Sequence, residues 1–321
     1  MRITTDRQVL GPPPENGAVL SLGVFDGVHL GHQAILAANV EKARELGAEA
    51  TVVTFSGHPK EILLGRAPRT LTTLDHRLNL FERAGIEHTI VLPFDEEMRN
   101  TPAAVFASDF LVSKLDTRHF MLGFDSKFGA GREGDAEFLR AAGYPTTVVP
   151  MVVVNKRGVS STAIREAVEL GDLESARAML GRRASVLGAV VRGAQLGRQL
   201  GFRTANLDLH HELHPPVGVY ACFANLIPEG DLMEDCGPWQ AVTNIGFRPT
   251  VDGTPAALPI VEVHIFDFEG DIYGRRLELE FVDCLRGEKK FDGIEQLKIQ
   301  IAEDAAAARA LLKTQESVVS R

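Results

Sequence analysis

From residue 18 to about residue 171 the chain alternates short apolar runs with amphipathic stretches of helical period, and beyond Val186 that alternation stops. AVLSLGVF (18–25), AEATVVTF (48–55), HTIVLPF (88–94) and RHFMLGF (118–124) read as buried strands. HQAILAANVEKARELG (32–47), LDHRLNLFERAG (74–85) and PAAVFASDFLVSKL (102–115) read as helices, the last started by Thr101-Pro102. Fully apolar strands separated by helices of 10–15 residues need cover on both faces, which predicts an α/β unit with a doubly wound parallel sheet. Two more helices follow at SSTAIREAVELG (160–171), with Ser/Thr at its start and Gly at its end, and DLESARAMLGR (172–182).

The second half obeys another pattern. SVLGAVVRG, GVYACFANL, WQAVTNIG, PIVEVHIF and RRLELEFVDCL are short, β-rich and separated by Gly/Pro turns. Helical period returns only in FDGIEQLKIQIAEDAAAARALLK (291–313). This predicts a small antiparallel β-barrel closed by a C-terminal helix. A length of 321 residues accommodates two domains, and the pattern sets their boundary near Arg182–Ser185, giving 1–183 and 184–321.

Charge narrows the functional classes. With 34 Lys and Arg against 43 Asp and Glu, the net charge is −9 and no basic block is present, so nucleic-acid binding through phosphate neutralisation is not expected. No apolar stretch is long enough to span a bilayer, and the first residues do not form a signal peptide. Three widely spaced cysteines contain no CxxC pair, so neither a zinc cluster nor a disulfide framework is indicated. A cytoplasmic protein with no implied protein partner is the expectation.

GVFDGVHLGH (23–32) is the strongest local signal. Two histidines, His29 and His32, stand at a Gly-rich strand-to-helix turn. A metal site, a phosphate site and an ordinary turn are open readings. A metal site wants a third protein ligand, and no Asp or Glu sits at helical spacing here. A phosphate site fits better, because free backbone N–H groups at such a turn point at an anion and imidazoles add donors. The order strand, His-Leu-Gly-His, helix resembles the signature of nucleotidylyl transferases. VSSTAIREA (159–167) supplies hydroxyls at a helix start and Arg165 one turn in, suited to phosphates or to plain capping. GAGREG (129–134) matches G-x-G-x-x-G but follows the polar Asp125-Ser126-Lys127 and lacks an acid about 20 residues on, so it reads as a flexible ligand-facing loop. No P-loop motif exists. In the second half, Thr204 and Asn206 lie two apart after the Gly-rich stretch containing Gly193, Gly197 and Gly201, and read either as hard oxygen ligands for Mg²⁺ or as part of a polar strand after a Gly-rich loop. Glu262, within apolar PIVEVHIF, is either a general base for a hydroxyl group or a rim carboxylate. HHELH (210–214), ahead of two prolines, reads as an exposed loop.

In this order, GVFDGVHLGH, TFSGHP (54–59), GFDSKFG (123–129), VSSTAIR, LGRQLGFRTANL, PPVGVYA (215–221), TNIGFRPT (243–250), EVHIF and LRGEKKF (285–291) resemble the bifunctional prokaryotic riboflavin kinase/FAD synthetase family over nearly the whole chain. The resemblance implies two activities with ATP as co-substrate: riboflavin to FMN, with Mg²⁺, in the C-terminal module, and FMN to FAD with release of pyrophosphate in the N-terminal module. It implies that His29 and His32 stabilise the transition state at phosphorus, and that Glu262 is the kinase base. ATP would be held by Gly23, Phe25, Gly31, Ser161, Thr162 and Arg165 in one module. Gly193, Gly201, Thr204 and Asn206 would hold it in the other, with Mg²⁺ on Thr204 and Asn206. Flavin would lie against Phe55, His58, Pro59, Asp125 and Phe128, and against Arg286 in the kinase module. Three positions depart from the family pattern: Gly57 where the family has Pro, Ser126-Lys127 where it has an aromatic and a different neighbour, and Arg203 where it has Pro. The first two motivate an alternative, a riboflavin kinase whose N-terminal module does not adenylate. A non-catalytic flavin-binding protein is a third reading, opposed by Glu262.

Overall fold

The computed structural model describes residues 1–5, 12–59, 62, 65, 67–193, 202–209, 212–228, 236–247 and 259–319, with side chains to residue 315. The chain packs as two compact units, Met1–Ser161 and Thr162–Arg321.

The first unit is built on six parallel strands: β1 (Arg2–Thr4), β2 (Ala18–Leu22), β3 (Glu49–Phe55), β4 (His88–Leu92), β5 (Thr117–Gly123) and β6 (Thr146–Val149), in the order β1-β4-β3-β2-β5-β6. Successive residues of one strand feed opposite cores. Leu20, Leu22, Val53, Phe55, Ile90, Leu92, Phe120 and Leu122 enter one apolar cluster, and Val19, Ala50, Val52 and Met121 enter the other. That is why the strands read as unbroken apolar runs rather than alternating ones. Helices α1 (Leu30–Leu46) and α2 (Leu74–Arg83) cover the second cluster through Ile35, Leu36, Leu80 and Phe81. The first is covered by residues 103–112 and by Leu139 of α3 (Ala136–Ala141). The predicted helix over 102–115 is a turn of α-helix, Ala103–Val105, running into a π-helical stretch, Phe106–Val112, in which Ser113 N–H reaches back five residues to Ser108 O at 2.9 Å.

A hairpin, β7 (Val153–Val154) with β8 (Arg157–Gly158), leads to α4 (Ser161–Leu170), whose first residue closes the first unit. In the second unit α5 (Leu173–Leu180) packs on the barrel strand that spans Arg276–Arg286, so packing divides the chain ahead of the sequence boundary at Arg182–Ser185. The barrel is closed and antiparallel: β9 (Ser185–Val191), β10 (Ala205–Asp208), β11 (Gly218–Leu226), β12 (Trp239–Gly246), β13 (Ile260–Ile265) and β14 (Arg276–Arg286), in the order β10-β13-β12-β11-β14-β9. The C-terminal helix α6 (Ile294–Val319) seats Ala308 and Leu312 on Val219, Ala221, Phe223 and Val242. No helix among the described residues is long and apolar enough to cross a membrane.

HHELH does not form the exposed loop its prolines suggested. His210 and His211 lie outside the described residues, but Glu212 is buried and accepts from Leu187 N–H, and His214 is buried with Nδ1 donating to Pro215 O at 2.7 Å. Glu212 satisfies a backbone N–H of β9, a role no local pattern reveals.

At the sheet's opposite edge Glu49 accepts from Arg2 Nη2 at 2.9 and 2.8 Å and lies 3.2 Å from Nδ1 of buried His88. Burial works to raise the Glu49 carboxyl, but the bonds to His88 and Arg2 outweigh it and hold the carboxyl below its ordinary value of 4.5. The stability this contributes is present above that ordinary value and is lost as pH falls through the lowered one. Glu49→Gln should therefore cost about 1 kcal/mol, or roughly 2–4 °C in melting temperature, at neutral pH, and the difference from wild type should vanish in melts at acid pH.

Candidate active sites

β2 is flanked by β3 on one side and β5 on the other, so chain progression reverses between β2 and β5 and a crevice opens at their carboxyl ends. The turn leaving β2 lies in that crevice and is strained. Phe25 has φ 54°, Gly27 φ 84° and Val28 φ 38°, and the left-handed region is costly for an aromatic and more so for a β-branched residue. This ends the strand at Leu22, short of the predicted 25. The surroundings hold the turn. Buried Asp26 accepts from Leu71 N at 2.9 Å, Thr72 N at 3.0 Å and Thr72 Oγ1 at 3.3 Å, while Gly27 N–H donates to Thr72 Oγ1 at 2.9 Å. Ser161 Oγ donates to Asp26 O at 2.9 Å, which brings the start of the VSSTAIR motif to the GVFDGVH turn. Thr162 and Arg165 follow on α4, within the second compact unit.

His29 is the N-cap of α1, its Nδ1 accepting from His32 N at 3.3 Å. The two imidazoles stack with centroids 3.6 Å apart and planes inclined by 14°. Two imidazolium rings so placed would repel. Burial first, then the charges of His29 and Arg77, hold His32 well below its ordinary 6.5, so at neutral pH it is an uncharged ring. Phe25 props it edge-on at 5.2 Å and itself rests on Phe81 at 5.5 Å. Gly23 continues the ladder, its N–H donating to Val53 O at 3.1 Å. A Cβ on Gly31 would stand 3.2 Å from His29 Cε1 and 3.3 Å from Nδ1, tighter than ordinary contact, so the ring would have to give by a few tenths of an ångström. Among the described residues no third His, Cys, Asp or Glu joins the pair in a metal-binding group. Stacked imidazoles at a helix N-terminus, beside free N–H groups, suit a phosphate that gains charge.

On the flavin side expected from the sequence, Phe55 is buried against Phe94, with rings 5.4 Å apart, and Phe128 is buried against Phe106 and Phe138. Both are core side chains that shape the strand ends. His58 and Pro59 are half-buried after β3, and Asp125 is exposed after β5. No atom lies within 4 Å of a Cβ built on Gly57, so the place of the family's proline is open space. Ser126 turns back to accept from Gly123 N–H at 3.0 Å, leaving Phe124, 55% exposed, as the aromatic of that turn. The GAGREG loop is pinned rather than flexible. Phe128 and Gly134 exchange both backbone hydrogen bonds at 2.9 Å, and a Cβ on Gly129 would meet the Ala103 backbone at 2.5 Å.

In the barrel, register assembles the second site. Glu262 of β13 pairs with Asn206 of β10 on one side and Asn244 of β12 on the other. Asn244 pairs with Val219, and Val219 with Arg286. Directly opposed residues point to the same face, so Asn206, Glu262, Asn244 and Arg286 share one lateral row, on the face that α6 partly covers through Val219. Asn206 is buried and its Oδ1 has no hydrogen-bond partner, while a Cβ on Gly193 would stand 2.1 Å from its amide. A hard oxygen left unsatisfied, two residues along the chain from the Thr204 hydroxyl, fits a divalent cation. Arg286 is engaged elsewhere: Nε and Nη2 bond both oxygens of Asp304 on α6 at 2.8–3.1 Å, and Nη1 donates to Gly287 O at 3.0 Å. Thr204 lines a cavity of about 790 Å³ with Arg203, Val263, Phe268, Ile272 and Tyr273. Its mouth is fixed by His264, whose Nδ1 donates to Arg203 O at 2.7 Å, so the Arg203 position is held although it lacks the family's proline. Gly201 lies outside the described residues.

Residues 12–163 match the FAD synthetase family and residues 180–312 the riboflavin kinase family. A bifunctional riboflavin kinase/FMN adenylyltransferase of Haemophilus influenzae is 37% identical over 303 residues, 93% of this chain and 95% of that protein. The chain belongs to the bifunctional riboflavin kinase/FMN adenylyltransferase family. The relative from Pseudomonas fluorescens is 38% identical over 93% of this chain and 94% of its own. A crystal structure titled a macrolide-efflux protein from Streptococcus pneumoniae superposes with a TM-score of 0.78 at 29% identity, covering 96% of this chain and 98% of that one. Both halves of the family are therefore present in one chain.

Asn244, His264 and Arg77 escaped the sequence reading. The signal for Asn244 was available, since it alternates with apolar neighbours as Glu262 does, but only pairing places the two side by side. A test of the histidine geometry is Gly31→Ala. Its methyl presses on the His29 ring, which must give by a few tenths of an ångström, and FMN adenylylation should fall about 3- to 10-fold in kcat/KM while riboflavin phosphorylation keeps its rate.

Proposed function

We propose that residues 184–321 phosphorylate riboflavin and residues 1–183 adenylate FMN, in a cytoplasmic enzyme that uses ATP in both steps. The chain is a bifunctional riboflavin kinase/FMN adenylyltransferase by its two matched domains and its relatives. The observation that carries the residue assignment is the row Asn206–Glu262–Asn244 set by strand register, and the cavity lined by Thr204 lies two residues along the chain from Asn206.

In the kinase module the cavity takes the adenosine of ATP, with its aromatic wall against the purine and its phosphates toward Thr204 and Asn206. These two residues would hold Mg²⁺, which when bound neutralises charge on the phosphates. Glu262 accepts the proton of the riboflavin 5′-hydroxyl as its oxygen approaches the γ-phosphorus. Asn244, on the other flank, orients that hydroxyl. Arg286 keeps α6 on the barrel through Asp304 and places the end of β14 beside the flavin.

In the adenylyltransferase module the FMN phosphate attacks the α-phosphorus of ATP, and pyrophosphate leaves. No protein nucleophile is needed. His29 and His32 donate to the phosphate oxygens as charge builds on them, and N–H groups at the start of α1 add to that stabilisation. Ser161, Thr162 and Arg165 bind the departing phosphates, and the loops at His58–Pro59 and Asp125 receive the flavin.

Chromatography of products tests both assignments. Riboflavin with ATP and Mg²⁺ should give FMN and FAD, and FMN with ATP and Mg²⁺ should give FAD. Glu262→Gln should lower FMN formation about 10²- to 10⁴-fold and leave FAD formation from FMN intact. His32→Ala should do the reverse. Undiminished phosphorylation in Glu262→Gln would remove Glu262 as the base.

A further inference from the structure

Arg77 lies on α2, away from every motif singled out in the sequence, and is buried to 4% exposure. A cation at that depth needs partners, and Arg77 finds them at two loops. Its Nη1 donates to Val24 O at 2.5 Å and Thr54 Oγ1 at 3.3 Å, and its Nη2 donates to Phe55 O at 3.0 Å. Thr54 Oγ1 in turn donates to Val24 O at 3.3 Å. Val24 immediately precedes the strained residues Phe25–Val28 that carry the histidine pair. Phe55 is the last residue of β3 and opens the SGHP loop. Val24 lies beyond the paired residues of β2, and Phe55 is the last paired residue of β3, so Arg77 grips the chain where each strand gives way to its loop.

We infer that Arg77 is a positioning residue for FMN adenylylation, tying the turn that presents His29 and His32 to the loop after β3 on the flavin side. The inference rests on the adenylyltransferase reading of this unit and deepens it. Three features support it. The planar fork of Arg77 serves Val24 O and Phe55 O at once, which an ammonium does less well. The residue after Val24 is Phe25, whose ring props His32, so a shift at Val24 O is passed directly to the imidazole. Leu71 and Thr72, just ahead of α2, hold the same turn through Leu71 N, Thr72 N and Thr72 Oγ1 on Asp26. Attack by an FMN phosphate on the α-phosphorus requires the two substrates to meet in line within a fraction of an ångström, so a residue spanning both loops governs the encounter.

The test is steady-state kinetics of the full chain, with riboflavin phosphorylation by the same preparation as reference and circular dichroism melts to set an assay temperature below unfolding. Arg77→Met should lower kcat for FAD formation from FMN at least about tenfold and raise KM for both ATP and FMN, with phosphorylation unchanged. Arg77→Lys should recover part of kcat. Thr54→Val keeps the shape of the core and removes one link, so it should move the same constants the same way by roughly 2- to 5-fold, which keeps the test decisive should the Met variant fail to fold. Wild-type constants in folded Arg77→Met or Thr54→Val, a KM change confined to one substrate, or a Lys variant no better than Met would overturn the inference. No FAD from FMN in the wild type would overturn the adenylyltransferase reading and this inference with it.

Discussion

The carboxylate of Asp26 is the fixed point of the N-terminal site. Buried where β2 ends, it accepts three hydrogen bonds from Leu71 and Thr72, and its own carbonyl receives the Ser161 hydroxyl. Phe25 and Val28 stay in left-handed backbone only because this lattice over-determines the turn, at a cost of order 1–3 kcal/mol each. That strain lifts the chain off the sheet and starts α1 at His29. Helix N–H groups and two stacked imidazoles then face the crevice together. Without Asp26 the sheet would still form, but the turn would relax toward ordinary backbone and the rings would separate.

The barrel reaches an equivalent result without strain. Its candidate site is a consequence of register: antiparallel pairing puts Asn206, Glu262 and Asn244 abreast, and Val219 of β11, paired with both Asn244 and Arg286, carries the row on to Arg286. A slip of one residue in β13 would turn Glu262 into the core and bring Val261 or Val263 out. The apolar alternation of that strand, with Val261 and Val263 essentially inaccessible, therefore protects the position of the carboxylate. The two candidate sites thus depend on different constraints, a held turn and a held register.

Several features were legible in the sequence because they are local. Strands that feed two cores show as apolar runs, and four of the six parallel strands were found that way. β1 is three residues long and β6 four, too short for a periodic signal, and each is a strand only because an edge was open to it. The helix over 102–115 was found, but its π-helical register was not, since that depends on how Phe106, Phe110 and Leu111 fit the core beneath them. His29, His32 and Ser161 could be named from their motifs. Arg77 could not, because a buried arginine looks like any helical arginine until the carbonyls it meets are known. Glu212 failed for the same reason, read as part of an exposed loop although its partner is a strand N–H 25 residues away.

What the sequence alone determined was the division into an α/β unit and a barrel, the candidates for the chemistry-bearing side chains, and the family to which the chain belongs. These follow from periodicity and from short motifs, which are properties of neighbours along the chain. The tertiary structure decided which of those side chains stand together: the histidine stack, the row of Asn206, Glu262 and Asn244, the capture of Arg286 by Asp304, and the span of Arg77 across two loops. Each joins residues distant in the chain through a buried polar contact or a strand register. Such contacts are set by the whole fold, because a polar group removed from water must find whatever partner the packing brings to it.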